Sequence, residues 1–169
     1  NQLVSLNDCM NDFHEVPKFL TVAISICECL IRHYEMASIH GHLSPYSIFI
    51  HQKRNEVSLA DKKERSKAQN AYLSPEQTKQ IQHAVDSRSD VYSLGLIFYK
   101  LLTKNDPVSD YKISVNSDFS DNLWVPSTIV IMIQKMLFTN PNDRYQSIEG
   151  VLFDLNQAQS QWNKTNTIN

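Results

Sequence analysis

Apolar residues recur at three- and four-residue intervals through most of the chain. In "PKFLTVAISICECLIRHYEMAS" (17–38) they fall at Leu20, Ala23, Ile24, Cys27, Leu30, Ile31 and Tyr34. That spacing lines one face of a helix. Pro17 suits its first turn, where a missing N–H leaves no bond unmade. "DSRSDVYSLGLIFYKLLT" (86–103) carries Val91, Leu94, Phe98, Leu101 and Leu102 on one face, with Ile97 and Tyr99 beside it. A helix apolar over more than half its circumference is expected at the centre of a domain. "PSTIVIMIQKMLF" (126–138) repeats at 129, 132, 133, 136 and 137, and "SIEGVLFDLNQAQSQW" (147–162) at 148, 151, 152 and 155.

Between the first two helices lie two short β-type runs, "SIFIH" (47–51) and "EVSLA" (56–60), separated by the polar "QKRN". They predict a hairpin. "DKKERSKAQN" (61–70) has no period and reads as an exposed loop. Residues 104–124 are polar and irregular. The tail "NKTNTIN" (163–169) is expected to be disordered, leaving one domain over 1–162. The fold class is mainly α with a small β hairpin.

Composition narrows the function classes. The 169 residues are 41% apolar and 20% charged, ordinary for a soluble globular protein. A net charge of −2 argues against a nucleic-acid or membrane-surface partner. "DKKERSK" (61–67) is basic but lacks the interleaved aromatics that stack on bases. The longest apolar run, "IVIMI" (129–133), is far too short to span a bilayer. Cys9, Cys27 and Cys29 are odd in number and lack zinc-like spacing, which favours reduced thiols and a cytoplasmic setting. The three glycines, Gly41, Gly95 and Gly150, lie too far apart to form a phosphate-cradling loop.

Five stretches carry a pattern together. They are "HGHLSPYSIFI" (40–50), "VSLADKK" (57–63), "AYLSPEQT" (71–78), the helix 86–103, and "NPNDRYQS" (140–147). In this order they resemble the C-terminal lobe of a eukaryotic-type protein kinase: the catalytic loop H-R-D-L-x-P-x-N, the strand into D-F-G, the S-P-E end of the activation segment, the central helix and a late arginine turn. The wording around 74–103 and 143–162 is similar to the kinase-like domain at the N-terminus of hybrid histidine kinases, which occur in fungi and bacteria.

The resemblance implies roles residue by residue. In an active kinase the loop aspartate takes the substrate hydroxyl proton and the loop asparagine helps hold magnesium. Here His42 stands at the base position, Ser44 at the lysine, Ser47 at the asparagine and Gly41 at the arginine. Asp61 matches the metal-binding aspartate, but Lys62 and Lys63 follow it. One carboxylate without a second ligand makes a poor magnesium site. The framework is retained. His40, Leu43 and Pro45 match the loop frame, Asp90 the central-helix aspartate that bonds the loop backbone, and Glu76 with Arg144 the ion pair tying the segment to the late helices.

No glycine-rich loop, ATP-anchoring lysine or partner glutamate helix precedes residue 17. The expectation is therefore a kinase fold lacking its N-lobe, with no cofactor of its own. ATP and magnesium enter only with a complete kinase domain. The implied role is a catalytically degenerate regulatory or scaffolding module of a hybrid histidine kinase in a phosphorelay. Its partners are other domains of the same protein or response-pathway proteins. The alternative is an active, atypical serine/threonine kinase whose N-lobe lies outside this chain. Ser66 and Ser74 offer hydroxyls for phosphorylation.

Overall fold

The structure is a computed structural model and describes residues 3–13, 15–36, 39–51, 56–60, 66–107 and 125–165. Strand β1 (Leu3–Ser5), helix α1 (Leu6–Cys9) and a 3-10 turn (Met10–Phe13) lead into helix α2 (Val16–Tyr34). Pro17 occupies the first turn of α2. The hairpin is strand β2 (Ile48–His51) and strand β3 (Glu56–Leu59). It is not alone, because β1 pairs antiparallel on the other side of β2, with Val4 opposite Ile50. In β2, Ile48 and Ile50 point into the core while Phe49 and His51 stay half-buried, the alternation of a strand covered on one face.

Residues 61–65 lie outside the described residues. The rest of the expected loop is ordered as helix α3 (Lys67–Asn70). Ser66 Oγ accepts from the Gln69 N–H at 3.4 Å, and Gln69 Oε1 accepts from the Ser66 N–H at 2.8 Å. This capping box explains a helical turn where hydrophobic period is absent.

Helix α4 (Ser87–Thr103) is the axis of the lobe, with twelve of its seventeen residues buried. Phe98 meets Phe19 of α2 edge-to-face, ring centroids 5.3 Å apart. Helix α5 (Ser127–Met136) packs on α4, and helix α6 (Ile148–Thr165), which follows a 3-10 turn at Pro141–Asp143, packs along α2. The last helix thus runs past Trp162, where a disordered tail is expected. Its final residues, Asn163 to Thr165, are exposed and polar, so no apolar period marks them, yet Thr165 Oγ1 still donates to the Gln161 carbonyl at 2.9 Å. No helix among the described residues is long and apolar enough to cross a membrane.

Gly95 sets the approach of α4 and α5. A Cβ there would lie 2.9 Å from Met136 Cβ and 3.0 Å from Leu137 Cδ2. Met136 Cβ is fixed to its backbone, so the helices themselves would have to part. Gly95→Ala is expected to destabilise by about 1–2 kcal/mol, the overpacking cost exceeding the roughly 1 kcal/mol of helix propensity gained. A urea unfolding curve showing equal or greater stability would contradict that packing.

Candidate functional site

Asp86 caps α4, accepting the Arg88 N–H at 2.9 Å. One turn on, Asp90 is 1% exposed and faces the loop after α2. Its Oδ2 accepts from the His40 N–H at 2.8 Å and the Tyr34 hydroxyl at 2.9 Å, and its Oδ1 from the Gly41 N–H at 2.8 Å. Burial pushes the Asp90 carboxyl up, against the pull of those three donors. Burial and the neighbouring Asp90 push the Tyr34 phenol up as well, so it stays protonated and donates. Gly41 sits at φ +72°, a left-handed conformation that glycine adopts without a Cβ penalty.

His40 is buried, and its ring lies 5.2 Å from that of His33. Its Nδ1 accepts the His42 N–H at 3.3 Å, which leaves the neutral ring's proton on Nε2. His42, at the base position, is half-buried with its Nδ1 enclosed. Ser47, at the asparagine position, is fully buried. Its Oγ accepts the Ser44 N–H at 3.0 Å and its proton lies between the carbonyls of Ser44, at 3.0 Å, and His42, at 3.2 Å. The hydroxyl braces the loop from inside. Ser44, at the lysine position, is also fully buried, and its Oγ has no hydrogen-bond partner among the described residues.

The end of the 71–78 segment is held by a second polar core. Arg144 Nη1 and Nη2 fork onto Glu76 Oε1 and Oε2 at 2.7 and 2.9 Å, with both side chains 0% exposed. Arg144 also donates to the carbonyls of Phe138, Arg88 and Thr139 at 2.7, 3.0 and 2.9 Å. All five guanidinium N–H groups are therefore used. Tyr92 lies against the guanidinium, 4.8 Å from its centre. Burial opposes charge on Glu76, but the hydrogen bonds from Arg144 and Ser89 outweigh it and hold the carboxyl below its ordinary value.

Sequence reasoning missed three members of this frame: Tyr34, Ser89 and Gln77. Ser89 and Ser93 are buried hydroxyls that sit among the apolar residues of α4, and that mismatch is the signal that marks them. Ser93 donates to the Tyr72 carbonyl at 2.7 Å. Ser74 is fully buried beside Gln77, its Oγ 3.2 Å from Gln77 Oε1, so of the two serines offered for phosphorylation only Ser66 is exposed.

Asp61, Lys62 and Lys63 lie outside the described residues. Among the described residues no three His, Cys, Asp or Glu side chains gather as a metal site. A cavity of about 620 Å³ lies between α2 and the α1 and 3-10 segment before it, reaching Ile50 of β2, and is lined by residues including Cys9, Phe13, Pro17 and Val22. It shares no residue with the 39–47 loop.

The comparisons fit this geometry. No family model matches. The chain is 38% identical over 94 residues to the hybrid signal transduction histidine kinase G of Dictyostelium discoideum, half of this chain but 3% of that protein. It is 27% identical over 175 residues to the peroxide stress-activated histidine kinase mak3 of Schizosaccharomyces pombe, covering 85% of this chain and 7% of that protein. It is 29% identical over 161 residues to the serine/threonine-protein kinase PknB of Mycolicibacterium smegmatis, 80% of this chain and 25% of that protein. The chain thus spans a quarter or less of each. The Mycobacterium tuberculosis PknI kinase domain superposes with a TM-score of 0.75 at 22% identity, over 92% of this chain and 62% of that one. The fold is that of a protein kinase's helical lobe, and the chain's relatives include both hybrid histidine kinases and serine/threonine-protein kinases.

Proposed function

We propose that this chain is a catalytically degenerate kinase-like module with a regulatory or scaffolding role in a hybrid histidine kinase of a phosphorelay. The observation that carries this reading is Ser47. The hydroxyl at the metal-ligand position is buried and committed to its own loop. The described residues around the loop do not fit a magnesium–nucleotide. Residues 39–47 contain no carboxylate, and Asp90, the acid beside them, spends both oxygens on Tyr34, His40 and Gly41. Magnesium takes an octahedron of oxygens with several waters, which a closed hydroxyl cannot join.

Under this reading the lobe acts by contact with other domains of its parent protein. The relative mak3 is described as peroxide stress-activated. The thiols here are poorly suited to that chemistry. Burial, then Asp12 and Asp8, pushes Cys9 up to about 11, and burial raises Cys27 and Cys29 too. Thiolates react, thiols do not.

A thermal-shift titration with ATP and magnesium tests the reading, because a ligand of the native state raises stability with its concentration. No shift is expected up to millimolar ATP. A saturable rise, with phosphoryl transfer that His42→Ala or Asp61→Ala abolishes, would favour the second reading. That reading, an active atypical serine/threonine kinase completed by an N-lobe elsewhere, draws on the PknB match over most of the chain.

A further inference from the structure

We propose that Gln77 is a positioning residue that latches the 40–42 loop to the end of the 71–78 segment through a neutral carboxamide. Gln77 Nε2 donates to the Gly41 carbonyl at 2.7 Å. Its Oε1 accepts from the Ser74 N–H at 3.1 Å and faces Ser74 Oγ at 3.2 Å. Both ends of the amide are thus in use, and the orientation of its oxygen and nitrogen is fixed by those partners.

The latch closes on a peptide already held from the other side. The Gly41 N–H goes to Asp90 of α4, and the Gly41 carbonyl goes to Gln77. Residue 41 therefore has both backbone polar groups tied, to two different elements. Gln77 in turn is anchored, because Glu76 beside it is pinned by Arg144, and Tyr72 accepts from Ser93.

The chemistry of the latch sets it apart from a phosphate-dependent one. Segments that order on phosphorylation do so by pairing a phosphate with arginine. Residue 41 is glycine here and has no side chain to offer. The connection from segment to loop is instead an uncharged hydrogen bond. It needs no phosphate to form. This goes beyond the assignment of a degenerate module and is read without nucleotide, so its failure is separate from that of the proposed function.

Amide hydrogen exchange on the whole chain tests the latch. In Gln77→Ala the His40, Gly41, His42 and Ser44 amides are expected to exchange about tenfold faster, the effect of one net hydrogen bond, with α2 and α6 amides unchanged. Gln77→Glu supplies the discriminating profile. At pH 7 its carboxylate cannot donate to Gly41, so the loop loosens as in Gln77→Ala. Below the carboxyl's titration the protonated acid can donate, and protection relative to wild type at the same pH returns. Wild-type exchange in Gln77→Glu at pH 7, loss that protonation leaves untouched, or equal loosening throughout the chain in either variant would each overturn the proposal.

Discussion

Arg144→Met is expected to lower the unfolding free energy by about 3–5 kcal/mol, the range for removing one partner of a buried ion pair. The size follows from what is left behind. Glu76 keeps Ser89 but loses both forked donors, and the carbonyls of Arg88, Phe138 and Thr139 each lose an N–H. With about 5–15 kcal/mol holding a typical domain, such a change brings the fold close to its threshold. Arg144→Lys is expected to recover little, because an ammonium cannot fork onto both Glu76 oxygens and reach three carbonyls. Glu76→Leu combined with Arg144→Met should recover part of the loss by removing the stranded charge, while the three carbonyls stay unpaired. Urea unfolding at pH 7 measures all three. A single Arg144→Met variant within 1 kcal/mol of wild type would show that the pair does not hold the segment.

The same pair predicts an acid response. The folded-state pKa of Glu76 is lowered, so its contribution is fully present above the unfolded value of about 4.3 and is lost as pH falls through the folded value. Arg144→Met lacks the partner that lowers it. The stability gap between wild type and variant should therefore narrow at pH 3 relative to pH 6.

What the sequence discloses and what it hides divide along physical lines. Helices α2 and α4 are legible because their burial is written in period, and α4 is apolar over more than half its circumference because it lies at the centre. Asp90, Glu76 and Arg144 are legible through the resemblance, which gives each a fixed place among the motifs, and the structure finds all three buried. Strand β1 is not, since three residues are too few to show alternation and its partner lies more than forty positions away. Gln77 stands next to Glu76, and nothing in spacing says which of the two turns toward the loop. Its partner is a backbone carbonyl 36 residues distant, and carbonyls leave no trace in residue identity. Ser47 shows the limit most clearly. Its type suggests a weakened metal ligand, whereas its role as an internal brace depends on how the loop closes around it.

Asp90→Ala is expected to cost about 3–5 kcal/mol and to release the loop. It orphans three donors at once, the N–H groups of His40 and Gly41 and the hydroxyl of Tyr34. Each buried orphan costs about 1–3 kcal/mol, and water entering the gap returns some of that. Asp90→Asn should cost roughly half as much. It keeps one acceptor oxygen and removes a buried carboxylate, but turns an NH₂ toward a donor. The two variants separate the hydrogen-bonding role from the charge. A pH dependence follows with the opposite sign to that of Glu76. Burial raises the folded-state pKa of Asp90, so the native state binds a proton more readily than the unfolded chain. Stability from this group is greatest below the unfolded value of about 3.9 and declines as pH rises toward the folded one. Asp90→Asn has no such proton to lose, so it should be less damaging relative to wild type at pH 7 than at pH 4. A penalty that is constant across that range would mean the three donors hold Asp90 ionised throughout, with burial the weaker effect.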